Sequence, residues 1–120
     1  MRTFAALVVS IALCGAWVTA GQKEQKPKPR KPVTHTVTID ATSFKPASLT
    51  IAPGDAVVWV NKDLIPHTAT SKKPGIFDSG DIAPGKSWKH TFKGASGVDY
   101  VCTYHPTMKG TLVVKAGKRP

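Results

Sequence analysis

The fold is decided by the stretch Ala52-Pro53-Gly54-Asp55-Ala56-Val57-Val58-Trp59-Val60, which joins turn chemistry to strand chemistry. Pro53 and Gly54 fit the central positions of a type II β-turn, where proline presets φ and glycine accepts a positive φ. Residues 56–60 are apolar on both faces, which is typical of a strand with a neighbour on each side. The stretch therefore predicts a central strand that is entered through a tight turn.

Short β-prone runs lie on both sides of this strand. A second Pro-Gly turn is predicted at residues 83–86, and no segment carries ten or more residues with helical periodicity. The sets of residues that share one strand face are Val37, Ile39 and Ala41; Trp88, His90 and Phe92; and Val98, Tyr100 and Cys102. Seven to eight short strands with this spacing predict an all-β fold, either a β-sandwich or a Greek-key barrel.

Length, charge and cysteine content limit the possible classes of protein. The chain has 120 residues, which is one domain at most, and its two cysteines exclude a disulfide-dense scaffold and a four-thiolate zinc site. It carries 17 Lys and Arg against 7 Asp and Glu, a formal net charge of +10. Such a charge indicates an anionic partner.

The first twenty residues have the three parts of a secretory signal peptide: a cationic start, an apolar run and a small-residue exit. We expect cleavage after Ala20 and a periplasmic or secreted protein. An uncleaved anchor is the alternative, although the apolar run is shorter than the roughly 20 residues of a spanning helix. Cleavage leaves Cys102 and Met108 as the only cysteine and the only methionine.

Residues 21–34 are predicted to form a linker, followed by a single β-domain over residues 35–117. The linker holds three prolines and five basic residues against one glutamate, which favours an extended, solvated chain. It is either a plain spacer or a basic arm with weak contact to an anionic membrane or envelope polymer. The arm has no interleaved aromatic residues, so the sequence gives little support to nucleic-acid binding.

Metal-ligand chemistry is concentrated in Cys102-Thr103-Tyr104-His105-Pro106-Thr107-Met108, which brings a thiolate, an imidazole and a thioether into one loop. His67 lies in the loop after the central strand. One thiolate, two imidazoles and a distant thioether suit a type 1 copper site. Zinc is the main competitor, but thioether is a poor zinc ligand. The metal-free alternative is that Cys102 and Met108 only pack in the core.

The sequence resembles the cupredoxins, and within them the amicyanin and plastocyanin-like proteins, over roughly residues 37–115. The matching residues are Phe44-x-Pro46, Gly54-Asp55-x-Val57-x-Trp59-x-Asn61-x-Asp63, Pro66-His67-Thr68, Phe77-Asp78-Ser79-Gly80, Pro84-Gly85-x-Ser87 and Tyr100-x-Cys102-x-x-His105-Pro106-x-Met108-x-Gly110. The short spacing between His105 and Met108 is similar to that of amicyanin. The resemblance implies a Greek-key β-sandwich that binds one copper ion through His67, Cys102, His105 and Met108.

The resemblance also implies roles for residues around the metal. The backbone N–H of Asn61 is expected to donate to the Cys102 sulfur, and the Asn61 side chain is expected to bond Thr103. The exposed edge of His105 is expected to exchange electrons, within an apolar rim that includes Pro66 and Pro106.

The remaining polar residues are expected to have structural roles. We interpret His90 as a core or strand-end histidine and His35 as solvated. Asp63 and Asp78 are expected to fix loops through bonds to backbone amides, because nothing near them in the sequence supplies a nucleophile.

The function expected from these features is one-electron transfer by an exported copper carrier, not enzymatic catalysis. Four protein ligands leave no open position on the metal for a substrate. The expected partner is a redox protein with an acidic surface, approached by a monomer. The alternatives are a copper-binding module for storage, delivery or sensing, and a metal-free adhesion module that depends on the basic arm.

Overall fold

The computed structural model describes residue 15 and residues 30–116. The predicted signal peptide, apart from residue 15, and linker residues 21–29 lie outside this part of the chain. Within the described residues, no helix is long and apolar enough to cross a membrane. The strands are β1 (Thr34–Asp40), β2 (Ser43–Lys45), β3 (Ser48–Ile51), β4 (Ala56–Asn61), β5 (Thr70–Ser71), β6 (Ser87–Thr91), β7 (Ser96–Cys102) and β8 (His105–Val114).

The eight strands form two four-stranded sheets, which confirms the all-β sandwich. One sheet has the order β2-β1-β4-β6 and the other the order β3-β8-β7-β5. β1 pairs in parallel with β4, and β3 pairs in parallel with β8, whereas the remaining pairs are antiparallel. Connections that cross between the sheets in this way are typical of Greek-key sandwiches.

β4 is the central strand that the sequence predicts, because it pairs with β1 on one side and β6 on the other. The turn before it is confirmed as well. Gly54 has a φ of +93°, and the N–H of Asp55 donates to the carbonyl of Ala52 at 3.0 Å. The second turn is closed in the same way, by the N–H of Lys86 and the carbonyl of Ala83.

The core lies between the two sheets and is filled by alternate residues of each strand. Trp59 of β4 is fully buried, and its ring lies 5.6 Å from Tyr100 of β7 and 5.3 Å from Phe77, measured between ring centroids. Cys102 and Met108 belong to the same buried cluster. The strand periodicity therefore carries the metal-ligand candidates to one end of the core.

A buried carboxylate closes the opposite end of β4. Asp55 accepts hydrogen bonds from the backbone N–H of Val33 at 3.0 Å and of Ala52 at 3.1 Å, and it forms ion pairs with Arg30 and His35. Burial raises the pKa of Asp55, but the bonds from Val33, His35, Ala52 and Arg30 outweigh it and hold this pKa well below its usual range.

The contacts of Asp55 correct one expectation and refine another. His35 was expected to be solvated, but it is half-buried because its Nε2 lies 2.9 Å from Asp55 Oδ2. The last part of the predicted linker is also attached to the domain, since Arg30 contacts Asp55 and β1 begins at Thr34. The chain thus enters the sandwich beside the first residue of β4. This end lies about 20 Å from Asn61 at the other end of the strand, given the usual rise per strand residue.

Candidate metal centre

The hairpin between β7 and β8 carries three of the four predicted ligands. Cys102 is the last residue of β7 and pairs with His105, the first residue of β8, across a turn formed by Thr103 and Tyr104. Met108 follows three residues later on β8 and is buried. A register shift at Cys102 interrupts the ladder there. The hairpin therefore holds a thiol and an imidazole next to each other at the end of the core.

His67 reaches the same place from the loop between β4 and β5. Its backbone N–H donates to the carbonyl of Ile82 at 3.2 Å, and the N–H of Ile82 donates to the carbonyl of His67 at 2.7 Å. These two bonds fix the backbone of His67 against Ile82, in the loop before β6, and the His67 side chain is fully buried. The second imidazole is thus supplied by a separate, firmly held segment.

The donor atoms converge. The Cys102 Sγ lies 3.7 Å from His67 Nδ1 and 3.7 Å from His105 Nδ1, and all three atoms lie within 4.8 Å of one another. Metal–nitrogen bonds of about 2.0 Å and a metal–sulfur bond of about 2.3 Å place nitrogen about 3.7 Å from sulfur when the bond angle is trigonal, and about 3.5 Å when it is tetrahedral. The spacing is compatible with one metal ion held by all three atoms. The chemistry of the donor set, with the Met108 thioether three residues after His105, suits type 1 copper better than zinc, for which thioether is a poor ligand.

The hydrogen bond to the thiol comes from a different residue than expected. The backbone N–H of Thr68 donates to Cys102 Sγ at 3.3 Å. The Thr68 hydroxyl also accepts from the N–H of Thr103 at 2.9 Å and lies 3.2 Å from the Thr103 hydroxyl. The residue directly after His67 therefore links the two ligand-bearing segments.

The roles predicted for Asn61 are wrong. As the last residue of β4, Asn61 uses its own N–H to donate to the carbonyl of Lys86 at 2.9 Å, so this N–H is not available to the sulfur. Its side-chain amide donates to the carbonyls of Ile65 and Ile82, and its Oδ1 accepts from the N–H of Asp63. Asn61 instead holds the loop that leads to His67, and the partner of Thr103 is Thr68 and not Asn61.

A carboxylate contacts the far side of the buried imidazole. Asp63 Oδ2 lies 2.8 Å from His67 Nε2, and the same carboxylate accepts hydrogen bonds from the N–H groups of Ala41 and Thr42. The bond from Thr42 is the largest cause that lowers the pKa of Asp63; burial acts against it, and the bonds from Ala41 and His67 act with it. The loop-fixing roles expected of Asp63 and Asp78 are confirmed, because Asp78 accepts from the N–H of Gly80.

The exposed residues next to His67 and His105 in the chain are mainly apolar. His105 is half-buried, whereas Pro66 and Pro106 are exposed, as expected of a rim. Sequence reasoning missed three further exposed residues here: Leu64, which is 94% exposed, Ile65 and Tyr104. Their position next to His67 and His105 in the chain was the signal that could have identified them. The hydroxyl of Tyr104 donates to Asp81, which raises the pKa of Tyr104 and connects the ligand hairpin to the loop before β6.

His90 does not take part in this site. It lies half-buried on β6, stacked on Trp88 with a 5.4 Å centroid separation, and it packs edge-on against Phe92. Burial lowers the pKa of His90. The interpretation of His90 as a strand histidine and not a ligand therefore agrees with its surroundings.

Two sandwiched β-sheets with a buried thiol and two imidazoles at one end define a cupredoxin-type metal protein. The profile of the family described as "Copper binding proteins, plastocyanin/azurin family" matches residues 32–115. The chain belongs to this family, and copper is its cofactor.

Individual relatives have similar folds and sequences. Amicyanin from Paracoccus versutus is 31% identical over 83 residues, which cover 66% of this chain and 63% of the relative. Plastocyanin from Scenedesmus fuscus is 31% identical over 93 residues, covering 62% of this chain and 89% of the relative. A solved Cu(I) form and a solved oxidised form of amicyanin mutants each match with a TM-score of 0.65 and 27% identity, covering 68% of this chain and 82% of theirs. The chain thus spans a little under two thirds of the Paracoccus amicyanin.

Proposed function

We propose that the chain is an exported one-electron carrier that binds one copper ion through His67, Cys102, His105 and Met108. The observation that carries this proposal is the 3.7 Å separation of the Cys102 sulfur from each imidazole Nδ1. Membership of the plastocyanin/azurin family and similarity to amicyanin support the same ligand set. Copper supplies one-electron chemistry, because it exists as Cu(I) and as Cu(II).

The residues around the site suit a carrier because they hold the ligands still. Two backbone bonds to Ile82 fix His67, the β7–β8 hairpin fixes Cys102 and His105, and Thr68 joins both segments. A site held in this way needs little rearrangement when an electron arrives or leaves. Four protein ligands also leave no open coordination position, so we propose a carrier and not an enzyme.

Electron exchange is proposed to occur through His105 at the apolar surface formed by Leu64, Ile65, Pro66, Tyr104 and Pro106. A small surface of this kind suits the brief contacts of a carrier, because electron-transfer encounters bury little area. We propose a redox protein with an acidic surface as the partner, since residues 34–116 contain nine lysines against six aspartates. The proposed carrier acts as a monomer.

Export and domain limits complete the proposal. We propose that residues 1–20 are a signal peptide cleaved after Ala20, which places the protein in the periplasm or outside the cell. The predicted linker of residues 21–34 shortens to residues 21–29, because Arg30 contacts Asp55 and β1 begins at Thr34. We propose that this basic linker has weak affinity for an anionic membrane or envelope, and that the copper domain extends to residue 117. N-terminal sequencing of the exported protein tests the cleavage site directly: any start other than residue 21 contradicts it.

A redox experiment separates the carrier from a copper storage or delivery module. A carrier gives a reversible one-electron wave, and its reduced form keeps Cu(I) against a Cu(I) chelator over many cycles. A delivery module loses Cu(I) to the chelator and shows no sustained wave. His105→Ala should abolish the wave, and His90→Gln is the matched control, because His90 is a histidine of the same domain away from the donor atoms. A stable wave in His105→Ala would overturn the proposed site.

A further inference from the structure

The turn between β1 and β2 has an unfavourable backbone conformation. Ala41 and Thr42 have φ values of +51° and +57°, and neither is glycine. A two-residue hairpin with two positive φ values normally uses Asn-Gly or a similar pair, because a Cβ atom crowds the backbone in this region. Thr42 is in addition β-branched, which makes the conformation still less favourable. Such outliers persist where surrounding structure over-determines them, often at functional sites.

The two residues of this turn direct their amides at one carboxylate. The N–H of Ala41 donates to Asp63 Oδ1 at 2.7 Å, and the N–H of Thr42 donates to Asp63 Oδ2 at 2.9 Å. Asp63 is far away in the sequence, in the loop after β4. Its own N–H donates to Asn61 Oδ1, so its backbone is held as well. Both carboxylate oxygens are therefore fixed in position by the turn.

The fixed carboxylate in turn determines which ring nitrogen of the neutral His67 imidazole carries the proton. Asp63 Oδ2 lies 2.8 Å from His67 Nε2, the His67 side chain is fully buried, and that of Asp63 is only 15% exposed. An ionised carboxylate only accepts hydrogen bonds, so the imidazole must carry its proton on Nε2. In the neutral imidazole, Nδ1 then carries no proton, and it lies on the side of the Cys102 sulfur, 3.7 Å away.

We propose that Asp63 is a positioning residue for His67, and that the β1–β2 turn holds Asp63 in place for this purpose. The proposal rests on the proposed function in treating His67 as a copper ligand. A carboxylate bonded to a ligating imidazole fixes its tautomer and ring orientation and raises its basicity. The added electron density stabilises Cu(II) more than Cu(I), so the turn also helps to set the reduction potential.

The first test needs neither a substitution nor a metal. The nitrogen chemical shifts of His67 in the metal-free protein, measured by NMR at neutral pH, distinguish a protonated Nε2 from a protonated Nδ1. We expect the neutral imidazole to carry its proton on Nε2. A proton on Nδ1, or rapid exchange between both tautomers, would overturn the proposal while leaving the proposed function untouched.

The second test compares two charge-neutralising substitutions in the same region. Asp63→Asn should weaken Cu(II) binding by about 10–100-fold, the usual effect of losing such a partner, and Cu(I) binding less. A tenfold change in the ratio of the two affinities raises the one-electron potential by about 59 mV. Asp40→Asn is the control: Asp40 borders the same turn, is exposed, and contacts Lys45 and not Asp63. Equal potentials for Asp63→Asn and the wild type would refute the positioning role.

A third variant separates the backbone strain from the amides. Thr42→Gly keeps the N–H that Asp63 accepts and removes the steric cost of a positive φ. It should leave the tautomer and the potential unchanged, without loss of stability. A shift in potential as large as that of Asp63→Asn would mean that the Thr42 side chain, and not the amide, carries the effect. If the wild type itself forms no Cu(II)–thiolate band, the proposed function fails, and the metal-free NMR measurement still decides the role of Asp63.

Discussion

Among the glycines within residues 30–116, Gly110 is the one at which an added methyl group meets a buried side chain. It lies on β8 directly opposite Tyr100 of β7. A Cβ atom at Gly110 would lie 2.2 Å from Tyr100 Cζ, 2.5 Å from its hydroxyl oxygen and 2.6 Å from Cε1. Ordinary contacts between such atoms are about 3.5–4.0 Å. Gly110→Ala therefore forces the tyrosine ring to move by more than about 1 Å.

The ring has little space in which to move. Tyr100 is 1% exposed, and its ring centroid lies 4.6 Å from that of Phe44, 5.6 Å from Trp59 and 5.7 Å from Phe77. Overpacking a well-packed core costs typically 1–3 kcal/mol, and the absence of free space puts this case near the upper end, at about 3 kcal/mol. For a domain of this size that loss lowers Tm by roughly 12–24 °C.

Denaturant unfolding of the metal-free protein measures this cost directly, and Gly97→Ala is its matched control. Gly97 lies on β7 in the same sheet, but a Cβ atom there meets nothing within 4 Å. Its substitution should leave the free energy of unfolding unchanged or raise it by about 0.4–1 kcal/mol, because the unfolded chain loses freedom. The reasoning is refuted if Gly110→Ala is as stable as the wild type, or if both variants lose the same amount.

Three further substitutions test other parts of the structure. Asp55→Asn should lower the free energy of unfolding at neutral pH by about 2 kcal/mol, because one amide oxygen replaces a charged acceptor of several bonds. The pKa of Asp55 is lower in the folded state than in the unfolded state, where it is about 3.9. The stabilisation that Asp55 provides is therefore complete above this unfolded value and is lost as the pH falls below it. In urea titrations between pH 2 and 7, the variant should lose less stability on acidification than the wild type. Thr68→Val removes the hydroxyl that accepts from the part-buried N–H of Thr103 and should cost about 1 kcal/mol. The copper absorption band should change little, because the backbone bond from residue 68 to Cys102 remains; a lost band would contradict this. Leu64→Glu should change the free energy of unfolding by less than about 0.5 kcal/mol, since Leu64 is 94% exposed. It should nevertheless reduce the rate of electron self-exchange between Cu(I) and Cu(II) copies, measured by NMR line broadening. An unchanged rate would exclude Leu64 from the exchange surface.

The fold could be predicted from local patterns because its strands and turns are encoded locally. Two-residue alternation grouped Val37 with Ile39 on one strand face, and the structure buries both. Ala41, which was predicted on the same face, instead lies exposed in the turn after β1. The turn chemistry of Pro53-Gly54 predicted where β4 begins. The pairing order of the strands, in contrast, depends on contacts across the whole chain and was not predicted; the resemblance to a family implied only a Greek-key sandwich.

Contacts within the site were predicted less well, because they join residues that are distant in sequence. Thr68, and not Asn61, has the roles that were predicted for Asn61. The reason is that the N–H of Asn61, at the end of β4, is already bonded to the carbonyl of Lys86 in the loop before β6, whereas the N–H of Thr68 donates to the sulfur. Nothing local in the sequence marks which N–H group faces the sulfur. The turn at Ala41 and Thr42 was missed for a similar reason, since its partner Asp63 lies more than twenty residues away.

The central claim is that Cys102 provides a thiolate to copper in this chain. Titration of the purified metal-free protein with Cu(II), followed by visible absorption, tests it most directly. We expect one equivalent of copper to produce an intense sulfur-to-copper charge-transfer band, and we expect Cys102→Ser to abolish that band while the fold persists. A wild type without an intense band, or a Cys102→Ser variant that retains it, would contradict the account.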